Sequence, residues 1–235
     1  MKKQKKVFPI PFGRVFLSLT LFAVCFCPAA HASSVIAQMI AASKSVVSVD
    51  VEAGGVDPGK LRAFQYKTSG GGIIVDPSGI IVTNAHVLQW AMQITVKFYD
   101  GSRLPAEILH AEPGEDLVFL KVQIDKPLPA LSLGDSDAVQ LGNRVYSVGS
   151  SDLLRQTISE GEVTALGQKK NRAAGDPGNA VLQISFKLYP GDSGSPVLNE
   201  RGEVVGITAA GQTSGSQQTF AISSNTIRKY LSKLP

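Results

Sequence analysis

Three separated stretches of this 235-residue chain hold residue types that together could cut an amide bond. In "YPGDSGSPV", Tyr189 to Val197, Ser193 stands between Gly191-Asp192 and Gly194. Read alone, a serine-glycine-proline cluster between apolar runs is an ordinary turn. A serine hydroxyl attacks poorly unless a positioned base takes its proton, and histidine is the usual base. Of the three histidines, His31 lies in a segment that reads as a removable leader, which leaves His86 and His110, both before Ser193. An α/β-hydrolase needs its histidine after the serine, and "GDSGS" lacks the G-x-S-x-G spacing, so that chemistry is excluded. His86 ends the apolar stretch "GIIVTNAHVL", where a short helical turn over Ala85 to Leu88 is expected. By itself it also fits a strand-end histidine with a locally bonded ring. His110, in "AEILHAEPGEDL", reads as a surface residue. Asp116 precedes the apolar run in "GEDLVFLKV". Its neighbour Glu115 suits the solvated turn position, which leaves Asp116 to face inward and hold the Nδ1 proton of a histidine.

The serine stretch carries a second feature that a plain turn does not require. Acyl transfer needs backbone N–H groups aimed at the developing oxyanion, each worth roughly 2.7–4 kcal/mol. Gly191 and Ser193 can supply two such groups around one tight turn, and Gly194 leaves room beside the nucleophile. Pro196 then opens the next strand, where a missing N–H costs least. Chemistry of this kind needs no metal and no cofactor.

The elements that must hold these residues are mostly strands. Met1 to Arg14 carry five basic residues and no acid, and Val15 to Cys27 form an apolar run too short for the ~20 residues that span a bilayer. "PAAHASS" follows with an A-x-A pattern at Ala30 and Ala32, so residues 1–32 read as a signal peptide cleaved after Ala32. The alternative, a lipid anchor on Cys25 or Cys27, is disfavoured by the bulk of Val24 and Phe26. An exported protein, periplasmic or secreted and without a stable membrane anchor, is expected. Removing the five leader cations leaves 18 basic against 19 acidic residues, so the formal +4 of the whole chain becomes −1. No basic patch then argues for nucleic acid. Both cysteines leave with the leader, and the mature chain has neither disulfide nor thiolate ligand.

In the remaining 203 residues a short helix over Val35 to Ser45 leads into alternation at Val47, Val49 and Val51. Turns are expected at Asp76-Pro77-Ser78-Gly79, at Asp100-Gly101 and in "LNERGEVV". Short strands with Gly/Pro punctuation and no βαβ alternation indicate an all-β fold of antiparallel barrels or a sandwich. A proline-bearing stretch near "DKPLPALSLGDSDAVQLG" reads as a crossover between two halves, and Ile227, Tyr230 and Leu231 have helix spacing.

"TNAHV", "EDLVFLKV" and "GDSGSPV", in that order, resemble the trypsin-like serine proteases of chymotrypsin fold, in particular the HtrA/DegP-type branch. "SGGGIIVDPSGIIVTNAHVL", "LSLGDSDAVQLGNRVYSVGS" and "FAISSNTI" extend the resemblance over nearly the whole mature chain. It implies two six-stranded antiparallel β-barrels, the first over about 46–125 and the second over about 141–222. A crossover of about 126–140 would join them, and a terminal helix of about 224–233 would follow. It implies His86 as general base then acid, Asp116 as its orienter, Ser193 as nucleophile, and the Gly191 and Ser193 N–H groups as oxyanion hole. It places Lys187, Leu188, Tyr189 and Pro190, with Thr208, Ala209, Ala210 and Gly211, along the primary substrate pocket. Polypeptides are the implied substrates, and the N-terminal helix either covers a barrel end or joins copies of the chain into a homo-oligomer.

The sequence also departs from that branch. A C-terminal PDZ domain usually follows there, and no residues beyond the terminal helix are present to form one, so regulation by such a domain is not expected. "LQISFKLY" and Tyr189-Pro190-Gly191-Asp192 replace the usual residues before the serine. Asp192 would need a partner if buried, and Arg144, Arg155 and Arg172 are the candidates. "GDSGSP" also resembles bacterial glutamyl endopeptidases, but Thr208 replaces their characteristic histidine, so acid specificity is not implied. Lys187 is expected to reach solvent. The leading expectation is a serine endopeptidase acting on unfolded or damaged envelope proteins. A non-catalytic binding or chaperone-like protein on the same fold, or a protease latent until substrate or oligomerisation orders its loops, are the alternatives.

Overall fold

The computed structural model describes residues 28–57, 59, 62–149, 157–167, 180–213 and 216–234. Most of the expected leader, residues 1–27, lies outside them, as do Arg155 and Arg172. Alternation decides the first barrel. Along β1 (Val46–Asp57) the side chains of Val47, Val49, Val51 and Ala53 point inward and are essentially inaccessible to water. β1 pairs antiparallel with β2 (Arg62–Asp76) from Val46↔Ile73 out to Asp57↔Arg62. β2 turns at Asp76 into β3 (Ile80–Thr83). There the Asp76 carbonyl accepts the Gly79 N–H at 3.0 Å and its carboxylate accepts the Ser78 N–H at 2.8 Å. With β4 (Ala91–Lys97), β5 (Arg103–Glu112) and β6 (Leu117–Val122) the sheet closes in the order β1-β2-β3-β6-β5-β4.

The second barrel repeats the plan. β7 (Arg144–Val148), β8 (Ile158–Leu166), β9 (Ala180–Ile184), β10 (Pro196–Leu198), β11 (Val204–Thr213) and β12 (Ser216–Ser223) close in the order β10-β11-β12-β9-β8-β7. The chain is therefore all-β, two six-stranded antiparallel barrels of chymotrypsin-like plan, with a helix before the first and after the second. Each barrel has its own apolar filling: Ile74, Ile81, Val96 and Leu120 in the first, Val145, Val163, Leu182 and Val197 in the second. A third cluster forms the seam between them. Ile73, Val82, Leu117 and Phe119 of the first barrel pack with Val148, Leu198, Ile207 and Ile222 of the second.

Both helices seal this seam. α1 (Pro28–Ser43) sends Val35, Met39 and Ala42 into it, while Ile36 and Ile40 stay half exposed. α1 begins well before Val35, because Pro28 suits a first helical position and the alanines that follow favour helix. It runs through Ala32 and ends at Ser43, whose hydroxyl donates to the Ile40 carbonyl at 2.7 Å. α2 (Ser224–Leu231) contributes Ile227 and Tyr230. The crossover grips α2: Asp135 accepts from Asn225 Nδ2 at 2.8 Å, and Ser224 Oγ donates to the Gly134 carbonyl at 2.7 Å. The Asn225 amide, followed by the Asp137 N–H, holds the Asp135 carboxyl below the usual carboxylate range. Ser223 caps α2, its Oγ accepting the Thr226 N–H at 3.3 Å. Ser223→Ala is expected to cost about 1 kcal/mol, read in a thermal melt as a Tm lower by roughly 2–4 °C for a domain of this size.

Candidate active site

The first barrel brings a histidine and an acid together. After β3 the chain makes a 3-10 turn over Ala85–Leu88, and Val87 and Leu88 plug the barrel end. That leaves His86 on the outer side, with 43% of its side chain exposed. A second 3-10 turn, Pro113–Glu115, ends with Asp116 in the left-handed region at φ 54°. This bend turns the Asp116 carboxylate back onto the first turn. Oδ1 accepts the His86 backbone N–H at 2.9 Å and Oδ2 meets His86 Nδ1 at 2.8 Å. The Asp116 carbonyl accepts the Ala85 N–H at 3.1 Å and Asn84 Nδ2 at 3.2 Å. A carboxylate only accepts, so Nδ1 carries the proton and the neutral ring keeps its lone pair on Nε2, free to take another. His110 is elsewhere. Its ring stacks on Tyr230 at 6.2 Å and is half-buried between α2 and Phe119, rather than standing free at the surface.

The second barrel delivers the serine on the loop before β10. Tyr189, Pro190, Gly191 and Asp192 form a turn closed by the Asp192 N–H on the Tyr189 carbonyl at 3.0 Å, with Gly191 at φ 98°. Proline second and a positive-φ glycine third is the type II pattern. Asp192 answers the same bond, its Oδ2 accepting the Tyr189 N–H at 2.8 Å. Arg144 is not its partner, because that guanidinium lies 3.5 Å from Glu160 on the barrel exterior. The backbone groups that follow are tied inward. Gly194 N–H donates to the Thr208 carbonyl at 2.8 Å, Ser195 N–H to the Asp192 carbonyl at 3.0 Å, and Ser193 O accepts the Gly71 N–H across the seam at 2.6 Å. Among the described residues, the N–H groups of Gly191 and Ser193 have no acceptor in the protein. The loop thus uses the N–H groups of residues 192, 194 and 195 and leaves those of 191 and 193.

The residues expected along the substrate pocket separate into two sets. Lys187, Leu188 and Tyr189 line a cavity of about 120 Å³ with Phe186, Asp192 and the opposite wall at Ser147 and Ser159. Lys187 is exposed, as is Pro190 at the rim of the loop. Thr208 and Ala209 are buried. The Thr208 hydroxyl donates to the Asp192 carbonyl at 2.6 Å and lies 3.2 Å from the Ser195 carbonyl, which makes it a brace for the serine loop. Ala209 packs into the seam. Ala210 and Gly211 are placed by backbone alone, opposite Thr219 and Gln218 on β12. Sequence reasoning gave no role to Asn84, to Thr83, whose hydroxyl donates to the Gly71 carbonyl at 2.7 Å, or to Thr208 as a brace. Two of these stand inside "TNAHV", beside the residue that drew attention to it.

Comparison with known proteins agrees with the fold. A family model described as "Trypsin-like peptidase domain" matches residues 70–207, more than half of the chain. The chain belongs to that family. Among its relatives, the mitochondrial serine protease HTRA2 of Bos taurus is 35% identical over 166 residues, 70% of this chain and 36% of that protein. Serine protease HTRA4 of Mus musculus is 36% identical over 166 residues, 70% of this chain and 34% of that protein. A protein of Halomonas elongata described as a DegP-like periplasmic serine endoprotease is 36% identical over 145 residues, 62% of this chain and 30% of that protein. The trypsin-like domain described here thus spans about a third of the length of these HtrA-type relatives.

Proposed function

We propose that the chain is a serine endopeptidase in which His86, Asp116 and Ser193 act as a triad and the N–H groups of Gly191 and Ser193 form the oxyanion hole. The observation that carries the reading is the pattern of N–H use in the serine loop. A loop built only for stability has no reason to satisfy residues 192, 194 and 195 while leaving 191 and 193 without an acceptor among the described residues. In the reaction, Ser193 Oγ bonds to the scissile carbonyl carbon and its proton passes to His86 Nε2. The carbonyl π electrons move onto oxygen, and the two N–H groups stabilise that charge. Collapse breaks the C–N bond, and His86 returns the proton to the departing amine. Water then attacks the acyl-enzyme by the same route in reverse. Asp116 keeps Nδ1 protonated and stabilises the imidazolium without itself being protonated.

The leader-like N-terminus supports export. The periplasmic name of the Halomonas relative points the same way, which makes unfolded envelope polypeptides the substrates of this reading. A latent protease is the second reading. Among the described residues Ser193 Oγ makes no hydrogen bond, and such catalytic contacts often tighten only when substrate binds.

The test is labelling of the purified protein with a fluorophosphonate, which bonds only to an activated serine. Wild type is expected to label and to cleave unfolded casein, and Ser193→Ala to do neither. Wild-type protein that stays unlabelled with casein present, and cleaves no faster than Ser193→Ala, would sink the proposal.

A further inference from the structure

Beyond the barrel rim, β1 and β2 continue as a projecting hairpin out to Asp57 and Arg62. Side chains two apart along a strand share a face, so Gly70, Thr68, Tyr66 and Phe64 form one row on β2. The foot of this row touches the site. A Cβ on Gly70 would lie 2.7 Å from Val87, next to His86, and 3.1 Å from the Ser193 carbonyl oxygen. At the far end the Phe64 and Tyr66 rings stack at 6.0 Å, and Trp90 meets Phe64 edge-on at 5.8 Å. Tyr66 Oη donates to the Gln89 carbonyl at 3.2 Å, which ties the row to the chain leaving the His86 turn. Gly55, paired with Phe64, supplies the floor. Phe64 and Trp90 atoms lie 3.4 and 3.7 Å from where its Cβ would stand.

These rings are supported from below and open above. Trp90 is 51% exposed and Tyr66 41%. Trp90 also sits at φ 61°, and among the described residues it shares a positive φ, glycines aside, only with Asp116. For a bulky residue that conformation is unfavourable. A buried ring would recover the cost through packing, but one half in water does not, and strain of this kind gathers at sites that bind.

Which part of a substrate would reach the row follows from the proton transfers. His86 must hand its proton to the departing amine, so the segment after the scissile bond leaves past the His86 turn. The acyl half stays on Ser193, beside Lys187 to Tyr189. Tyr66 is four residues beyond Gly70, ~13 Å along the strand, the reach of about four extended substrate residues.

We propose that Phe64, Tyr66 and Trp90 form a leaving-group-side subsite for an aromatic or long aliphatic side chain about four residues beyond the scissile bond of an extended polypeptide. The inference rests on the reading of Ser193 as nucleophile, and its test separates the two. Trp90 is the only tryptophan of the chain, so its emission reports this site directly. Two peptides, identical except for Phe or Gly at that fourth position, are titrated into Ser193→Ala and assayed as substrates of the wild type. The Phe peptide is expected to shift Trp90 emission and to bind more tightly, with kcat/KM higher by about tenfold, the low end for filling an apolar pocket. Trp90→Gly, which suits the positive φ, is expected to bring the Phe/Gly ratio to about one. Phe64→Leu, which keeps an apolar side chain over Gly55, should lower it part-way.

Equal kcat/KM for the two peptides, or a Trp90 emission that follows protein concentration and not peptide, would overturn the subsite. The second result would instead mark a contact between copies of the chain. Failure of fluorophosphonate labelling would overturn the Ser193 reading alone, because the binding titration needs no catalysis and still decides the subsite.

Discussion

Asp116→Asn is expected to lower kcat about 10⁴-fold while leaving KM nearly unchanged. The substitution preserves shape. Asparagine tolerates the left-handed backbone that Asp116 adopts at φ 54°, and its carbonyl oxygen can still accept the His86 N–H now bound at 2.9 Å. What changes is the group 2.8 Å from His86 Nδ1. An amide nitrogen donates, so Nδ1 must become the acceptor and the ring proton moves to Nε2. His86 then presents an N–H to Ser193 where a lone pair is required. Steady-state kinetics on a peptide amide, with a thermal melt alongside, checks this. A fall in kcat of less than tenfold in a folded variant would mean that Asp116 does not set the tautomer.

Gly194→Ala is expected to remove activity by displacing the serine loop. At φ 87°, alanine costs about 1–2 kcal/mol in backbone energy alone. The larger difficulty is space, since the new Cβ would stand 2.1 Å from the Gly71 carbonyl oxygen and 2.9 Å from Thr83 Oγ1. The loop can relieve the clash only by leaving β2, which breaks the Ser193 carbonyl bond to Gly71 and the Gly194 bond to Thr208. With about 1 kcal/mol for each hydrogen bond, the total is about 3–4 kcal/mol, a Tm lower by roughly 6–16 °C. Gly142→Ala supplies the control. Gly142 has a similar φ of 78° and nothing within 4 Å of the added methyl, so only the backbone cost remains. Equal Tm losses in the two variants would show that crowding at Gly71 plays no part.

The turns between strands and the inward face of β1 were legible because each is a local property. Asp76 to Gly79 turns the chain by its own side chains, and alternation at Val47, Val49 and Val51 gives the buried face wherever the strand is placed. What sequence could not supply was which faces meet across the seam. Thr208 and Ala209 sit in a stretch that reads as pocket wall, yet the rest of the fold covers them, and Thr208 braces the Asp192 and Ser195 carbonyls from sixteen and thirteen residues away. Asp192 is expected to need a cationic partner only if buried, and it is half-buried. Its own turn answers it through the Tyr189 N–H, a bond that depends on the loop closing first. Likewise, Phe64, Tyr66 and Trp90 are ordinary strand residues in sequence. They form a group only because the long β1–β2 pairing carries the hairpin past the barrel rim.

The bond from Gly194 to Thr208 also bears on the order in which the chain is made. On the proposed mechanism the base and its acid belong to a barrel whose strands are complete at Val122, whereas the nucleophile loop is anchored by Thr208 on β11, in the second barrel. A growing or threading chain therefore carries a finished histidine pair long before it can hold an armed serine. On this mechanism the capacity to cut waits for β11, and a product that stalls before Thr208 would lack it.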